Sequence, residues 1–361
     1  MRRFALFAVV ILLGVTAGLR DGFDAWVGET ILPPVLAETS VEVRDRHGAL
    51  MRVFPVEDGR VRLAVGLDQV DGAYLGMLVE YEDKRFYSHS GVDPIALSRA
   101  VVQAMWHGSF VSGGSTLTMQ VARLLENSGT GRWPGKLRQI RVALALERRL
   151  TKAQILELYL NHAPYGGPLE GLRAGTLAWF GKTPARLTQA EAALLVALPQ
   201  SPESRRPDRH PAAARLARDR VLARVRAPEQ DAQAALPAAM TPFVRLAPHL
   251  ADAMRRQDPL APRHDLTLDA RLQAQVADLA RRAVKGQARG VSAAIVVADH
   301  RSGEVLAAAG SPAYAAADGA LGFVDMTRAI RSPGSTLKPF IYGLAFDQGL
   351  AHPELSNASN P

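Results

Sequence analysis

Residues 4–19 carry no charge and are largely apolar, with Arg2 and Arg3 before them and Arg20 and Asp21 after them. The run is slightly shorter than the roughly 20 residues that comfortably cross a bilayer. It fits either a cleaved signal peptide or an uncleaved anchor. Val15-Thr16-Ala17 is a poor cleavage site, so we expect residues 1–20 to be an N-terminal transmembrane helix, arginines inside and the remainder exported. Residues 21–40, with Trp26 and Pro33-Pro34, read as a juxtamembrane linker. Over 41–53 apolar positions alternate around Arg46-His47-Gly48, which predicts a β-hairpin. Over about 71–225 the period becomes helical, and Thr151 with Gln154 and Thr188 with Glu191 make two capping boxes ahead of apolar runs. Residues 41–226 therefore read as a mainly α domain. Residues 227–265 carry several prolines and read as an interdomain linker. Beyond them, 267–284 predicts a helix, and 293–298 with 305–309 predict two strands around Ser302-Gly303.

Composition adds bounds. At 361 residues and 48% hydrophobic, the chain has room for two or three domains with real cores, which excludes disordered and collagen-like classes. The net charge of +8 points to a polyanionic neighbour, whether nucleic acid, an acidic membrane surface or a phosphorylated substrate; an arginine-rich compositional bias explains it equally well. The absence of cysteine excludes disulfide frameworks and thiolate metal sites and is compatible with a periplasmic address.

Candidate chemistry begins at Glu82-Asp83-Lys84-Arg85-Phe86-Tyr87-Ser88-His89-Ser90-Gly91-Val92-Asp93. Leu75, Leu78 and Glu82 stand at i, i+3 and i+7, which puts the Glu82 carboxylate on the apolar stripe of the preceding helix. Desolvation there raises a carboxyl pKa and suits a general base or acid. A buried glutamate paired with Lys84 or Arg85, or a plain helix-end charge, fits the same residues. Gly113-Gly114-Ser115-Thr116 leads into a helical run with Ser115 or Thr116 as the N-cap; a phosphate could dock at such a helix start, or the serine cap could be an ordinary one. Lys136 and Arg138 lie off the apolar face of the next helix, as a solvated stripe or as a clamp for a diphosphate. Tyr159 and the leucines beside it read as core.

In this order the segments resemble the glycosyltransferase domain of class A penicillin-binding proteins, over about 41–226. Glu82-Asp83, Phe86, His89, Gly91 and Asp93 fit that family's first motif, Ser115-Thr116-Leu117-Thr118 its second, and 155–161 with Leu187-Thr188, Glu191-Ala192 and Pro199 the later ones. Residues 119–125, 135–139 and 163–167 look like the family's 1C branch. The resemblance implies a lysozyme-like α fold that joins lipid-linked disaccharides (lipid II) into glycan with inversion, at the periplasmic face of the bacterial inner membrane. It implies Glu82 as the base, Arg123 and Lys136 facing the departing diphosphate, and Asp83, Phe86, His89, Ser115, Thr116, Gln120 and Asn161 around substrate. A divalent cation such as magnesium, with Asp83 as a ligand, is a further implication. Preorganised cations suit a leaving group that departs as an anion, and inversion needs no covalent enzyme intermediate. Gln139 stands where most of the family has a second glutamate, and an amide cannot take a proton. We read it, like Gly135, as a feature of the branch.

Ser335-Thr336-Leu337-Lys338, after the predicted strands and between Pro333-Gly334 and Pro339-Phe340, resembles the start of the family's α/β transpeptidase domain, with Ser335 as nucleophile and Lys338 as its base. The later Ser-x-Asn and Lys-Thr-Gly elements do not follow in 266–361. We therefore expect an incomplete domain that neither acylates nor crosslinks. Expected partners are lipid II, the growing glycan, inner-membrane lipids and cell-wall synthesis proteins, with no nucleic acid. Two other readings of the same residues are a lysozyme-like lytic enzyme and a non-catalytic protein that holds the lipid-linked precursor or partner enzymes.

Overall fold

The computed structural model describes residues 2–36, 38–107, 114–126, 133–317, 320–330 and 332–352. Gly113, Arg331 and the last residues of the chain, which belong to segments singled out above, lie outside them. Contacts divide the chain into two units, one of residues 1–245 with 254–266 and one of 246–253 with 267–361.

The first unit is helical. It holds α1 (Arg2–Gly28), α2 (Gly72–Glu82), α3 (Pro94–His107), α4 (Leu117–Glu126), α5 (Trp133–Arg149), α6 (Lys152–His162), α7 (Leu172–Phe180), α8 (Gln189–Ala197) and α9 (Pro211–Arg224). The two capping boxes form as the sequence indicates: Thr151 accepts from Gln154 N–H ahead of α6, and Thr188 from Glu191 N–H ahead of α8, each answered by the Gln or Glu side chain. Tyr74, Leu78, Phe86, Leu117, Leu146, Ile155, Tyr159 and Leu194 meet in one core shared by α2, α4, α5, α6 and α8. Each such side chain contributes about 1.5–3 kcal/mol by leaving water.

The predicted hairpin is present as β1 (Val41–Arg44) and β2 (Leu50–Phe54), antiparallel, with Gly48 at φ +81° in the turn. A second small sheet joins β3 (Val61–Arg62), β4 (Pro164–Gly166) and β5 (Leu169–Glu170) in the order β3-β5-β4. Arg60 and Arg62 close on Glu170, joining β3 to β5 within the second sheet, and Arg173 closes on Glu42, tying the first sheet to α7. The expected linker 227–265 is not all loop. It contains β6 (Arg263–Asp265), which pairs in parallel with β1, and the whole of helix α10 (Pro248–Gln257), within which the chain passes between units. The pairing of β6 rests on backbone hydrogen bonds that its Arg-His-Asp sequence does not advertise.

The expected anchor is one part of α1, which continues past Leu19 through Arg20, Asp21 and Asp24 to Gly28. Among the described residues no helix is long and apolar enough to cross a membrane. Ile11, Leu12, Leu13, Val15 and Leu19 are exposed. The C-terminal end of α1 is seated on α5: Arg141 donates to Trp26 O at 2.8 Å and Thr30 Oγ1 at 2.9 Å and lies over the Trp26 ring, and Arg148 pairs with Asp24.

In the second unit α11 (Ala270–Val284) is capped by Asp269, which accepts from Leu272 N–H at 2.8 Å. It packs on the antiparallel pair β7 (Ile295–Ala298) and β8 (Val305–Ala309), as the pattern of 267–309 indicates. A short pair, β9 (Ala316–Ala317) and β10 (Ala320–Leu321), follows. The last described helix is α12 (Lys338–Asp347), with Phe340, Ile341, Tyr342 and Leu344 exposed.

Candidate active site

Glu82 is the last residue of α2, where the helix presents its side chain between α4 and the turn that follows α8. The basic residues beside it in sequence are spent elsewhere. Lys84 pairs with Glu80 at 2.8 Å, and Arg85 grips Asp93, whose Oδ1 also caps the start of α3 by accepting from Ile95 and Ala96 N–H at 3.0 Å. Glu82 is therefore neither of the ion pairs its neighbours suggest. Its carboxylate is held by two amides: Gln120 Nε2 donates to Oε2 at 2.8 Å and Gln200 Nε2 to Oε1 at 2.6 Å. Burial, the largest influence, pushes the Glu82 carboxyl above the ordinary carboxylate range, against the opposing pull of the two amides and of Arg224 and Arg205.

Behind Glu82 lie the buried tyrosines of the core. The Tyr74 and Tyr165 hydroxyls are 3.1 Å apart, and the Tyr159 hydroxyl is buried without a hydrogen-bond partner among the described residues. All three phenols are raised, first by burial; the charge of Glu82 adds to the shifts of Tyr74 and Tyr159. Tyr159 also feels Arg123, so this ring lies within electrostatic reach of both the acid and the cation.

The cations sit on α4 and α5. Arg123 has no hydrogen bond or carboxylate partner among the described residues, and Lys136 has only Ser115 Oγ, to which it donates at 2.6 Å. Burial and the neighbouring Arg123 depress the Lys136 ammonium from its usual value. Two positive side chains close enough to repel each other, without counter-charges, suit an anionic group. Arg138, in contrast, pairs with Glu126 at 2.7 Å and is a surface residue.

Several residues expected around substrate serve the frame instead. Asp83 is buried and accepts from His89 Nε2 at 3.0–3.1 Å and from Leu117 N–H at 2.9 Å, so the first free N–H of α4 is already used. Thr116, not Ser115, is the N-cap of α4: its hydroxyl accepts from Met119 N–H at 3.1 Å and donates to Gly91 O at 2.6 Å. Gly91 has φ +93°, and a Cβ there would stand 2.8 Å from Ala143 O, so only glycine allows the motif to lie this close to α5. Phe86 is fully buried beneath Lys152, whose ammonium lies 4.4 Å from the ring centroid. Asn161 clamps Val65 through its N–H and C=O, both at 2.9 Å. Gln139 is buried, and no hydrogen bond to its amide occurs among the described residues. The oxygens of Asp83 are committed to protein donors, and among the described residues no group of three or more His, Asp or Glu could hold a metal ion. This donor set does not fit a resident cation.

Sequence reasoning missed Gln200, Arg205 and Arg224. Only Pro199, next to Gln200, stood in a recognised segment, and the separation of 118 residues hides the contact with Glu82. In the second unit Ser335 lies in a 3-10 turn (Gly334–Leu337) and Lys338 opens α12; no hydrogen bond joins their side chains among the described residues.

A transglycosylase family model matches residues 47–226, and one for the penicillin binding protein transpeptidase domain matches 293–361. The chain is 40% identical over 341 residues to penicillin-binding protein 1C of Escherichia coli (strain K12), covering 91% of this chain and 44% of that protein. It is 34% identical over 225 residues to penicillin-binding protein 1A of Aquifex aeolicus (strain VF5), covering 60% and 31%. The chain thus spans less than half the length of these curated relatives.

Proposed function

The chain belongs to the class A penicillin-binding protein family, with a transglycosylase domain and a match to the transpeptidase domain, and from that membership we propose that it is a peptidoglycan glycosyltransferase polymerising a lipid-linked disaccharide. The observation that carries the proposal is a carboxylate with raised proton affinity, free of ion pairs to Lys84 and Arg85 and hydrogen-bonded to Gln120 of α4, the helix that also carries Arg123, which like Lys136 has no carboxylate partner among the described residues. Glu82 takes the proton of the acceptor's 4-hydroxyl as that oxygen attacks the anomeric carbon of the donor. The bond from that carbon to the diphosphate breaks, and Arg123 and Lys136 receive the negative charge. A base so placed contributes about 10²–10⁴ in rate.

The exposed apolar side chains of α1, following the run 4–10, support anchorage in the inner membrane with the enzyme on its periplasmic face. Membrane lipid, lipid II and the growing glycan are its partners on this reading. The test is product analysis with fluorescent lipid II and the detergent-solubilised chain. Long glycan from the parent and a loss of at least about 100-fold in Glu82→Gln are expected. Shortened glycan from a preformed strand would instead make it a lytic enzyme, and binding without turnover would remove the catalytic reading.

A further inference from the structure

The two amides that hold Glu82 are not equivalent. Arg205 Nη1 donates to Gln200 Oε1 at 2.9 Å and to Ala197 O at 2.7 Å. A guanidinium can only donate, so Gln200 Oε1 must face Arg205 and Gln200 Nε2 must face Glu82. The amide orientation, ordinarily a matter of inference, is here dictated by chemistry. Ala197 is the last residue of α8 and Gln200 ends the turn after it, so Arg205 is braced by the end of a helix. Among the described residues Gln120 has no such brace: its Nε2 bond to Glu82 is its sole side-chain hydrogen bond, and its Oε1 accepts none from them.

We propose that Arg205 is a positioning residue that fixes the polarity of Gln200, so that Glu82 Oε1 is always held as a hydrogen-bond acceptor and Oε2 is the oxygen that takes the proton. When the acceptor's O–H proton arrives on Oε2, that oxygen becomes a donor. Gln120 can answer by turning its amide so that Oε1 accepts; Gln200 cannot turn without setting its N–H groups against Arg205. The proton then leaves Oε2 to solvent, the amide of Gln120 turns back, and the carboxylate is restored. This rests on the glycosyltransferase reading only for the source of the proton.

The charged and titratable groups facing Glu82 are Arg205, Arg224 of α9, Tyr74 of α2 and Tyr159 of α6, with Arg123 of α4 beyond Tyr159. An amide N–H stabilises the carboxylate, so losing its fixed donation makes Glu82 easier to protonate. The acid limb of the rate profile then moves to higher pH. Because Gln200 is exposed, the expected movement is about half a pH unit, below that of a buried charged hydrogen bond. Arg205 is also a bare charge near Glu82, and a double-mutant cycle separates the two roles.

The experiment compares parent, Gln200→Met, Arg205→Met, Arg205→Lys and the double Gln200→Met/Arg205→Met, with two readouts. One is kcat/KM for lipid II polymerisation against pH. The other is the 13C NMR titration of δ-labelled glutamate, with the Glu82 signal assigned by its loss in Glu82→Gln. We expect both methionine variants to raise the Glu82 titration and the acid limb together, with kcat lowered several-fold and KM within about twofold. Arg205→Lys, still a donor only, should stay near the parent, and the double variant should shift no further than the larger single one. Additive shifts, or a uniform loss of kcat at every pH without a shift, would overturn the proposal. A parent that titrates as described but makes no glycan would sink the function proposed above and leave this assignment standing.

Discussion

Glu82 is stabilised by its surroundings only in part. Burial makes the folded chain bind the proton more tightly than the unfolded chain does. Stability is then greatest at low pH and is lost as pH rises from the ordinary carboxylate range through the raised folded value. Glu82→Gln removes that cost. Its amide can accept from Gln200 and donate to a turned Gln120, so thermal denaturation should show a higher Tm than the parent at pH 8 and little difference at pH 4. Gln139→Glu should do the opposite. A carboxylate at this buried site, with no donor among the described residues, is expected to destabilise by about 1–3 kcal/mol, and polymerisation assays should show no gain from the added acid. Glu82 was legible in the sequence because it falls on the apolar stripe with Leu75 and Leu78. What the sequence could not supply was its partners, since Lys84 and Arg85 are near in the chain but turn to Glu80 and Asp93.

At the scale of elements, the locally determined features were readable and the long-range ones were not. The boxes at Thr151 and Thr188 and the hairpin turn at Gly48 depend on residues within a few positions of each other. The strand β6 depends on a parallel partner near residue 43, and its polar sequence gives no alternation to detect. The start of α4 mixes the two. Thr116 was a legible cap, whereas the use of Leu117 N–H by Asp83, which closes the helix start to a phosphate, is a contact across 34 residues. Two substitutions test this joint by thermal denaturation. Thr116→Val removes a cap and should cost about 1 kcal/mol. Gly91→Ala should cost about 1–3 kcal/mol, because the strained φ and the close approach to Ala143 O add. Both should lower turnover, since α4 carries Gln120 and Arg123.

In the whole molecule, α1 and α5 connect the N-terminal segment to the site. The seat of Trp26, Asp24 and Thr30 on Arg141 and Arg148 fixes one end of α5, and Lys136 stands near the other. If the exposed face of α1 lies in lipid, the parent should sediment with phosphatidylethanolamine and phosphatidylglycerol vesicles. A chain lacking residues 2–19 should remain in the supernatant while keeping its far-ultraviolet helix signal from α2 to α9. The domain scale was readable in outline, because a helical period over 71–225 and the change after 267 are sums over many residues. The ordered helix within the expected linker was not, because prolines flank it. The central claim is that Glu82 is the base of a glycan-forming transfer. Its most direct test is gel analysis of labelled lipid II after incubation with parent and Glu82→Gln at matched thermal stability. Long glycan from the parent and none from the variant is the predicted result; glycan of equal length and yield from both would contradict it.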